Sequence, residues 1–155
     1  MASSRDVPQA VARYLAEHGL PGRAVCWPEF AGLDWRAAQL DVASRTVNAS
    51  DAVGITGCHC AIAETGTLIL CSGQFTPAAL SLLPETHIVI VPARCIVGVM
   101  EEAWQRVRAE ALDGKSTWPR AINFISGPSR TGDIEQTIVL GAHGPYRVHI
   151  VIVRE

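Results

Sequence analysis

No apolar run in this sequence approaches the roughly 18 residues that a membrane-crossing helix requires. The opening stretch, MASSRDVPQAVARYLAEHGL, lacks the charged, apolar and small-residue succession of a secretory signal. A soluble, cytoplasmic protein is the expectation. Charge is scarce too: 18% of residues are charged, the net charge is −2, and neither end carries a long run of one sign. A general nucleic-acid binder, which shows a basic face, is therefore disfavoured. Cysteine is present, but the five residues Cys26, Cys58, Cys60, Cys71 and Cys95 are odd in number and irregular in spacing. That is unlike a secreted disulfide framework, and reduced thiols buried in strands are expected instead. Neither the phosphate-loop pattern Gly-x-x-x-x-Gly-Lys-Ser/Thr nor the dinucleotide pattern Gly-x-Gly-x-x-Gly occurs, so neither nucleotide class is supported. Internal repeats, low-complexity tracts and linkers are also missing.

What is there is apolar. Hydrophobic residues make up 48% of 155 residues, enough for one compact domain with a real core and too short for two typical ones. Residues 6–18 carry Val7, Val11, Tyr14 and Leu15 at helical spacing, with Gly19 as the stop. RAVCW reads as a brief strand. LDWRAAQLDVAS either starts a helix capped by Asp34 or forms a loop leading to a strand near Leu40 and Val42. AVGITG is a short strand, CHCAIAETG turns the chain, and TLILCS is a second strand. TPAALSLLP fits a helix capped by Thr76 with Pro77 at its first position. HIVIVP, INFIS and YRVHIVIV are further strands, TIVLGAHGP lies between the last two, and VGVMEEAWQRVRAEAL is the clearest amphipathic helix. Strands alternating with helices indicate an α/β fold with a mostly parallel sheet flanked by helices. The strands are apolar throughout, as strands covered on both faces are.

Three stretches carry polar groups beside apolar strands: AIAETGTLIL (61–70), SGPSRTGDIE (126–135) and GAHGP (141–145). Ligands of open α/β sheets bind outside the carboxyl ends of strands, and FISGPSRTGDIE is expected at such an end. Gly127 permits unusual backbone angles, Pro128 stiffens the turn, and Ser129 or Thr131 can cap a helix that Asp133 and Glu135 continue. Amides at a helix start attract anions, and Arg130 adds a planar fork suited to carboxylate or phosphate. The plainer alternative is a helix cap with acids favouring the dipole and Arg130 on the surface. Glu64 sits among Thr65, Gly66 and Thr67, where an acid near a core can serve as acid, base or nucleophile. A turn cap or a pairing with arginine explains it equally. His143, between glycines, could carry protons near neutral pH or be held by its own backbone. His18, His59, His87 and His149 read as surface or strand residues. Cys58-His59-Cys60 offers ligand types in a row, but alternate residues of an extended chain face opposite ways and the usual Cys-x-x-Cys pairing is missing. No metal site is expected.

AIAETGTLIL, SLLPETHIVIV and ISGPSRTGDIEQTIVLGAHGP, in that order, resemble the LUD-domain family, also called the lactate-utilization protein C or YkgG family. The resemblance runs from about Val53 to Val153, within a single domain spanning 1–155 whose region 1–50 matches poorly. It implies a NagB/RpiA/CoA-transferase-like fold and a role as one component of a three-protein, iron–sulfur-dependent system oxidising L-lactate to pyruvate. The clusters are expected in partner subunits, with no cofactor in this chain. The shared residues carried over are Glu64, Thr65, Gly66, Thr67, Gly127, Pro128, Ser129, Arg130, Thr131, Asp133, Glu135, His143, Gly144 and Pro145. Glu64 and His143 are the catalytic candidates. Thr65, Gly66, Thr67, Gly127, Ser129, Arg130, Thr131 and Asp133 are candidates for holding a small anion. Two other readings stand beside this one: a stand-alone CoA-transferase-like or sugar-phosphate enzyme using Glu64, and a regulatory or scaffold protein.

Overall fold

Apolar runs without polar alternation become the central strands. In the computed structural model, which describes residues 2–112, 118–134, 137–141 and 143–154, β1 (Ala2–Ser3) precedes α1 (Val7–Glu17) and β2 (Arg23–Cys26). β3 (Asp41–Ala43), β4 (Val53–Thr56), β5 (Cys60–Ile62) and β6 (Thr67–Cys71) follow, then α2 (Ala79–Leu82), β7 (Thr86–Pro92), β8 (Ile96–Val97) and α3 (Met100–Leu112). The chain ends with β9 (Ile122–Ile125), β10 (Arg130–Ile134), β11 (Thr137–Leu140) and β12 (Arg147–Arg154).

The main sheet runs β1-β12-β7-β4-β2-β3, and every pair in it is parallel. β7 and β12 form the longest ladder, from Arg147 beside Thr86 to Val153 beside Pro92. A second sheet, β8-β5-β6-β9, is mixed: β5–β6 and β6–β9 are antiparallel, β5–β8 parallel. β10 and β11 make a separate antiparallel hairpin with a register shift between Thr131 and Ile134.

Alternation along β7 explains the layers. Ile88 and Ile90 face one way and pack with Val7, Val11 and Leu15 of α1, all almost wholly buried. Val89 and Val91 face the other way and pack with Leu68 and Leu70 of β6 and with Leu80 of α2. The far face of β5 and β6, at Cys60, Ile62 and Ile69, meets Ala103 and Val107 of α3. The stack is thus helix, parallel sheet, mixed sheet, helix. Each valine, leucine or isoleucine buried this way contributes about 2 kcal/mol over its exposed state. The α/β class and the parallel sheet are as the sequence indicates. What covers one face of that sheet is a second sheet, with α3 outside it.

Several local expectations are corrected. TPAALSLLP gives only the short α2, because the Thr76 hydroxyl donates to the Cys71 carbonyl (2.9 Å) instead of capping a helix. CHCAIAETG is not all turn: Cys60–Ile62 is a strand, and residues 63–66 alone reverse the chain. Asp34 does cap, accepting the Ala37 amide (3.1 Å), but over a 3-10 turn, and the chain then enters β3. The stop at Gly19 holds, with φ +62 and the Leu20 amide returning to the Leu15 carbonyl (2.8 Å). None of the five cysteines is in a disulfide; Cys26 and Cys60 are buried and the other three half-buried. Among the described residues no helix is long and apolar enough to cross a membrane, and no three metal-ligating side chains converge.

Two stability predictions follow from this packing. A Cβ on Gly54 would lie 2.5 Å from the Leu80 carbonyl oxygen and 2.9 Å from Pro84 Cγ, so α2 sits directly on that strand. Gly54→Ala should destabilise the domain by about 1–3 kcal/mol, read from the denaturation midpoint. His87, fully buried in β7, bonds Thr56 Oγ1 through Nε2 (2.7 Å), and burial lowers its pKa to about 3. The unfolded chain therefore takes up a proton as pH falls below about 6.5 while the folded chain does not until about 3. His87 stabilises the fold fully above that window and progressively less through it. A His87→Gln variant should show a shallower loss of stability between these two pH values.

Candidate functional site

The three polar stretches meet. β5 and β6 are joined by residues 63–66, with Gly66 at φ +65 allowing the tight reversal. Thr67 opens β6 with its side chain buried, and its hydroxyl lies 2.7 Å from Thr65 Oγ1 and 2.7 Å from Ser126 Oγ. Because β9 runs antiparallel to β6, with Leu68 beside Ile125, Ser126 arrives beside Thr67 although 59 residues separate them. A chain of three hydroxyls thus ties AETGT to SGPSR.

Ser129 ties SGPSR to GAHGP. Its amide donates to the Pro145 carbonyl (2.7 Å), its carbonyl accepts the Gly141 amide (3.0 Å), and its hydroxyl accepts the His143 amide (3.3 Å). Gly127 and Gly141 have φ of +95 and +80, angles that side chains beyond glycine seldom adopt. Between these turns and α2 lies a cleft of about 270 Å³, lined by Ser81, Phe124, Ser126, Gly127, Ser129, His143 and their neighbours. Its walls alternate hydroxyls and backbone with apolar surface. The His143 ring belongs to an exposed residue, and Pro145 is buried at the base.

The segment after Ser129 is not a helix. Arg130–Ile134 is β10, paired with β11 through Arg130 beside Leu140 and Thr131 beside Val139. The expected helix cap at Ser129 or Thr131, and an anion held by a helix start, are therefore replaced by a hairpin. Thr131, Ile134, Thr137, Ile138 and Val139 are β-branched, which favours extended backbone and outweighs the acidic Asp133 that suggested a helix start. Thr131 and Asp133 have strand backbone here; Glu135 lies outside the described residues.

The location is also corrected. β9 does end at this turn, but in the mixed sheet. In the parallel sheet the cleft sits beside the amino ends, since Ser81 and Leu82 precede β7 and Pro145 precedes β12. Glu64 and Arg130 do not line the cleft. Glu64 is exposed on its turn, its amide donating to the Gly98 carbonyl (3.1 Å), and no described residue hydrogen-bonds its carboxylate. Arg130 is exposed at the head of β10. Beyond the cleft rim, Tyr146 donates to Glu85 Oε2 (2.8 Å) and the Arg147 guanidinium lies 4.3 Å over the Tyr146 ring. Ser126 was not singled out by sequence reading; its only signal is a hydroxyl directly before Gly-Pro.

Comparison with known proteins agrees with the three joined motifs. The family described as the LUD domain matches residues 7–153, a span that takes in most of the first fifty residues. A lactate utilization protein C from an Exiguobacterium strain is 35% identical over 146 residues, covering 93% of this chain and 62% of that protein. The lactate utilization protein C of Bacillus subtilis is 41% identical over 103 residues, covering 66% of this chain and 42% of that one. The chain thus spans about three fifths or less of the length of these curated relatives. The crystal structure of a DUF162 family protein from Deinococcus radiodurans superposes with a TM-score of 0.66 at 28% identity, over 99% of this chain and 85% of that one. This chain belongs to the LUD domain family.

Proposed function

We propose that this domain is a lactate-utilization protein C-like component of an iron–sulfur-dependent L-lactate oxidation system, and that its cleft receives a small carboxylate anion. The observation that carries this reading is the hydrogen-bonded junction of AETGT, SGPSR and GAHGP around one cleft. The names of the curated relatives support the link to lactate utilization. Lactate and pyruvate each carry one carboxylate and one further oxygen, and a cleft of about 270 Å³ admits either. Ser129, Gly127 and the exposed Arg130 guanidinium form the anion clamp, with His143 at the rim. Arg130 sits one residue beyond Ser129, so its long side chain can close over a bound carboxylate as a planar fork. The iron–sulfur chemistry belongs to partner subunits that take electrons from lactate.

A ligand that binds only the folded state at about 100 times its dissociation constant adds ~2.7 kcal/mol. Pyruvate or L-lactate should therefore raise the melting temperature of the purified chain, and Arg130→Ala and Ser129→Ala should each abolish most of that rise. If both variants retain the full shift, the clamp is elsewhere.

The exposed Glu64 carboxylate, to which no described residue hydrogen-bonds, favours a second reading, a stand-alone acyl- or phosphosugar-transforming enzyme with Glu64 as nucleophile or base. It predicts turnover of a CoA ester or sugar phosphate by the isolated chain, lost in Glu64→Gln. Under the first reading the isolated chain turns over neither compound, and Glu64→Gln leaves stability within about 0.5 kcal/mol of the parent.

A further inference from the structure

The order of the parallel sheet singles out a place that the three motifs do not reach. From β2 the chain goes outward to β3, then returns past β2 to lay down β4, β7 and β12 on the other side. The direction of winding reverses between β2 and β4. In open α/β sheets that reversal opens a crevice at the carboxyl ends of the two strands, where ligands bind. Here those ends lead into Trp27–Glu29 and Gly57–Cys58.

Polar groups with hydrogen bonds unmet among the described residues lie near these ends. The exposed Glu29 carboxylate lies against the Gly57 backbone, since a Cβ on Gly57 would come within 2.8 Å of Glu29 Oε1. No described residue hydrogen-bonds that carboxylate, and burial of part of the side chain raises its pKa. The adjoining Cys58 thiol is pushed up to about 12, first by burial and then by Cys95, Cys60 and Glu29, with Arg106 acting in the opposite sense. It is therefore a neutral thiol within electrostatic reach of both Glu29 and Arg106. Arg106 comes from α3 and is anchored beyond the carboxyl end of β7, its Nη2 donating to the Arg94 carbonyl (2.9 Å). Its Nη1 is buried and has no partner among the described residues. At the end of β2 the buried Trp27 Nε1 is in the same condition. Trp27 and Pro28 wall a pocket of about 260 Å³ with the exposed Phe75. Buried polar hydrogens are nearly always paired in folded proteins, so the unpaired Arg106 Nη1, within electrostatic reach of Cys58 at the end of β4, marks a place for an acceptor.

We propose that the crevice at the carboxyl ends of β2 and β4 is a second ligand site, taking a small organic acid as its monoanion, with Arg106 receiving the carboxylate and Glu29 facing the remaining oxygen. One guanidinium opposite one carboxyl group suits a single negative charge. A phosphate dianion would meet the ionised Glu29 with about twice the like-charge repulsion of a monoanion. This assignment does not rest on the reading of the Ser129–His143 cleft, which lies at the opposite end of the parallel strands.

The test is a titration of the ¹⁵N-labelled chain with pyruvate, L-lactate and inorganic phosphate, following the Gly57 and Cys58 amides and the Trp27 indole N–H. Pyruvate or L-lactate should shift these signals saturably, and phosphate should not. Arg106→Gln should weaken binding about tenfold or more, the effect of losing a charge-assisted hydrogen bond. Glu29→Gln, a change on an exposed side chain, should tighten it about threefold at pH 8 by removing a neighbouring like charge. If Arg106→Gln does not fold, Glu29→Gln carries the test alone. The proposal is overturned by no saturable shift with any probe, by shifts confined to residues 126–129 and 143–145, by an equal response to phosphate, or by an unchanged affinity in the folded variants. Shifts confined to those turns would sink this site while leaving the cleft reading intact.

Discussion

The face-to-face packing of two sheets is the constraint on which the rest of the molecule depends. Val89 and Val91 of β7 meet Leu68 and Leu70 of β6 across that seam, and Leu80 completes it from α2. Removing it would strip one face of the parallel sheet and leave β5, β6 and β9 without an inner layer. It also fixes where β9 ends, and so where Ser126 meets Thr67. The polar junction is thus a product of apolar packing. Close approach of α2 to Gly54 belongs to the same seam, because any side chain there would push Leu80 outward.

The two ends of the parallel strands carry different kinds of polar structure. At the amino ends of β7 and β12, hydroxyls and amides are mostly bonded to one another, through Ser126, Ser129 and His143. Such a network holds turns in fixed positions and presents what remains, chiefly the exposed Arg130 and the His143 ring. At the carboxyl ends of β2, β4 and β7 some polar groups are unsatisfied, with Trp27 Nε1 and Arg106 Nη1 both buried without acceptors among the described residues. One end is stiffened; the other is left with unmet hydrogen-bonding capacity.

Much of the fold was legible in the sequence. The helical spacing of Val7, Val11 and Leu15, and the apolar runs at 52–55 and 88–91, identify α1, β4 and β7 from side-chain chemistry alone. The second sheet was not legible, because TLILC is equally apolar whether it enters a parallel or an antiparallel ladder. Only the partner strands decide that. The β10–β11 hairpin was concealed by Asp133, which imitates a helix start, while the β-branched residues on either side carried the opposite signal. The motifs of the candidate site stood out as residues, yet their junction depends on contacts between positions 59 and 14 residues apart, which local sequence does not encode. Glu29 and Gly57 gave no sequence signal, because their contact depends on strand order.

β12 lies between β7 and β1, and Ala2 pairs beside Val153. The second residue of the chain and the third from its end are therefore neighbours in one sheet. Closing so long a loop is entropically slow, and contacts of this kind lower folding rates. Until residues 147–154 arrive, β7 presents a seven-residue apolar edge with an open row of backbone donors and acceptors. β12 is thus the strand that shields β7 from pairing with other chains, and truncation ahead of it would convert a covered strand into a template for aggregation.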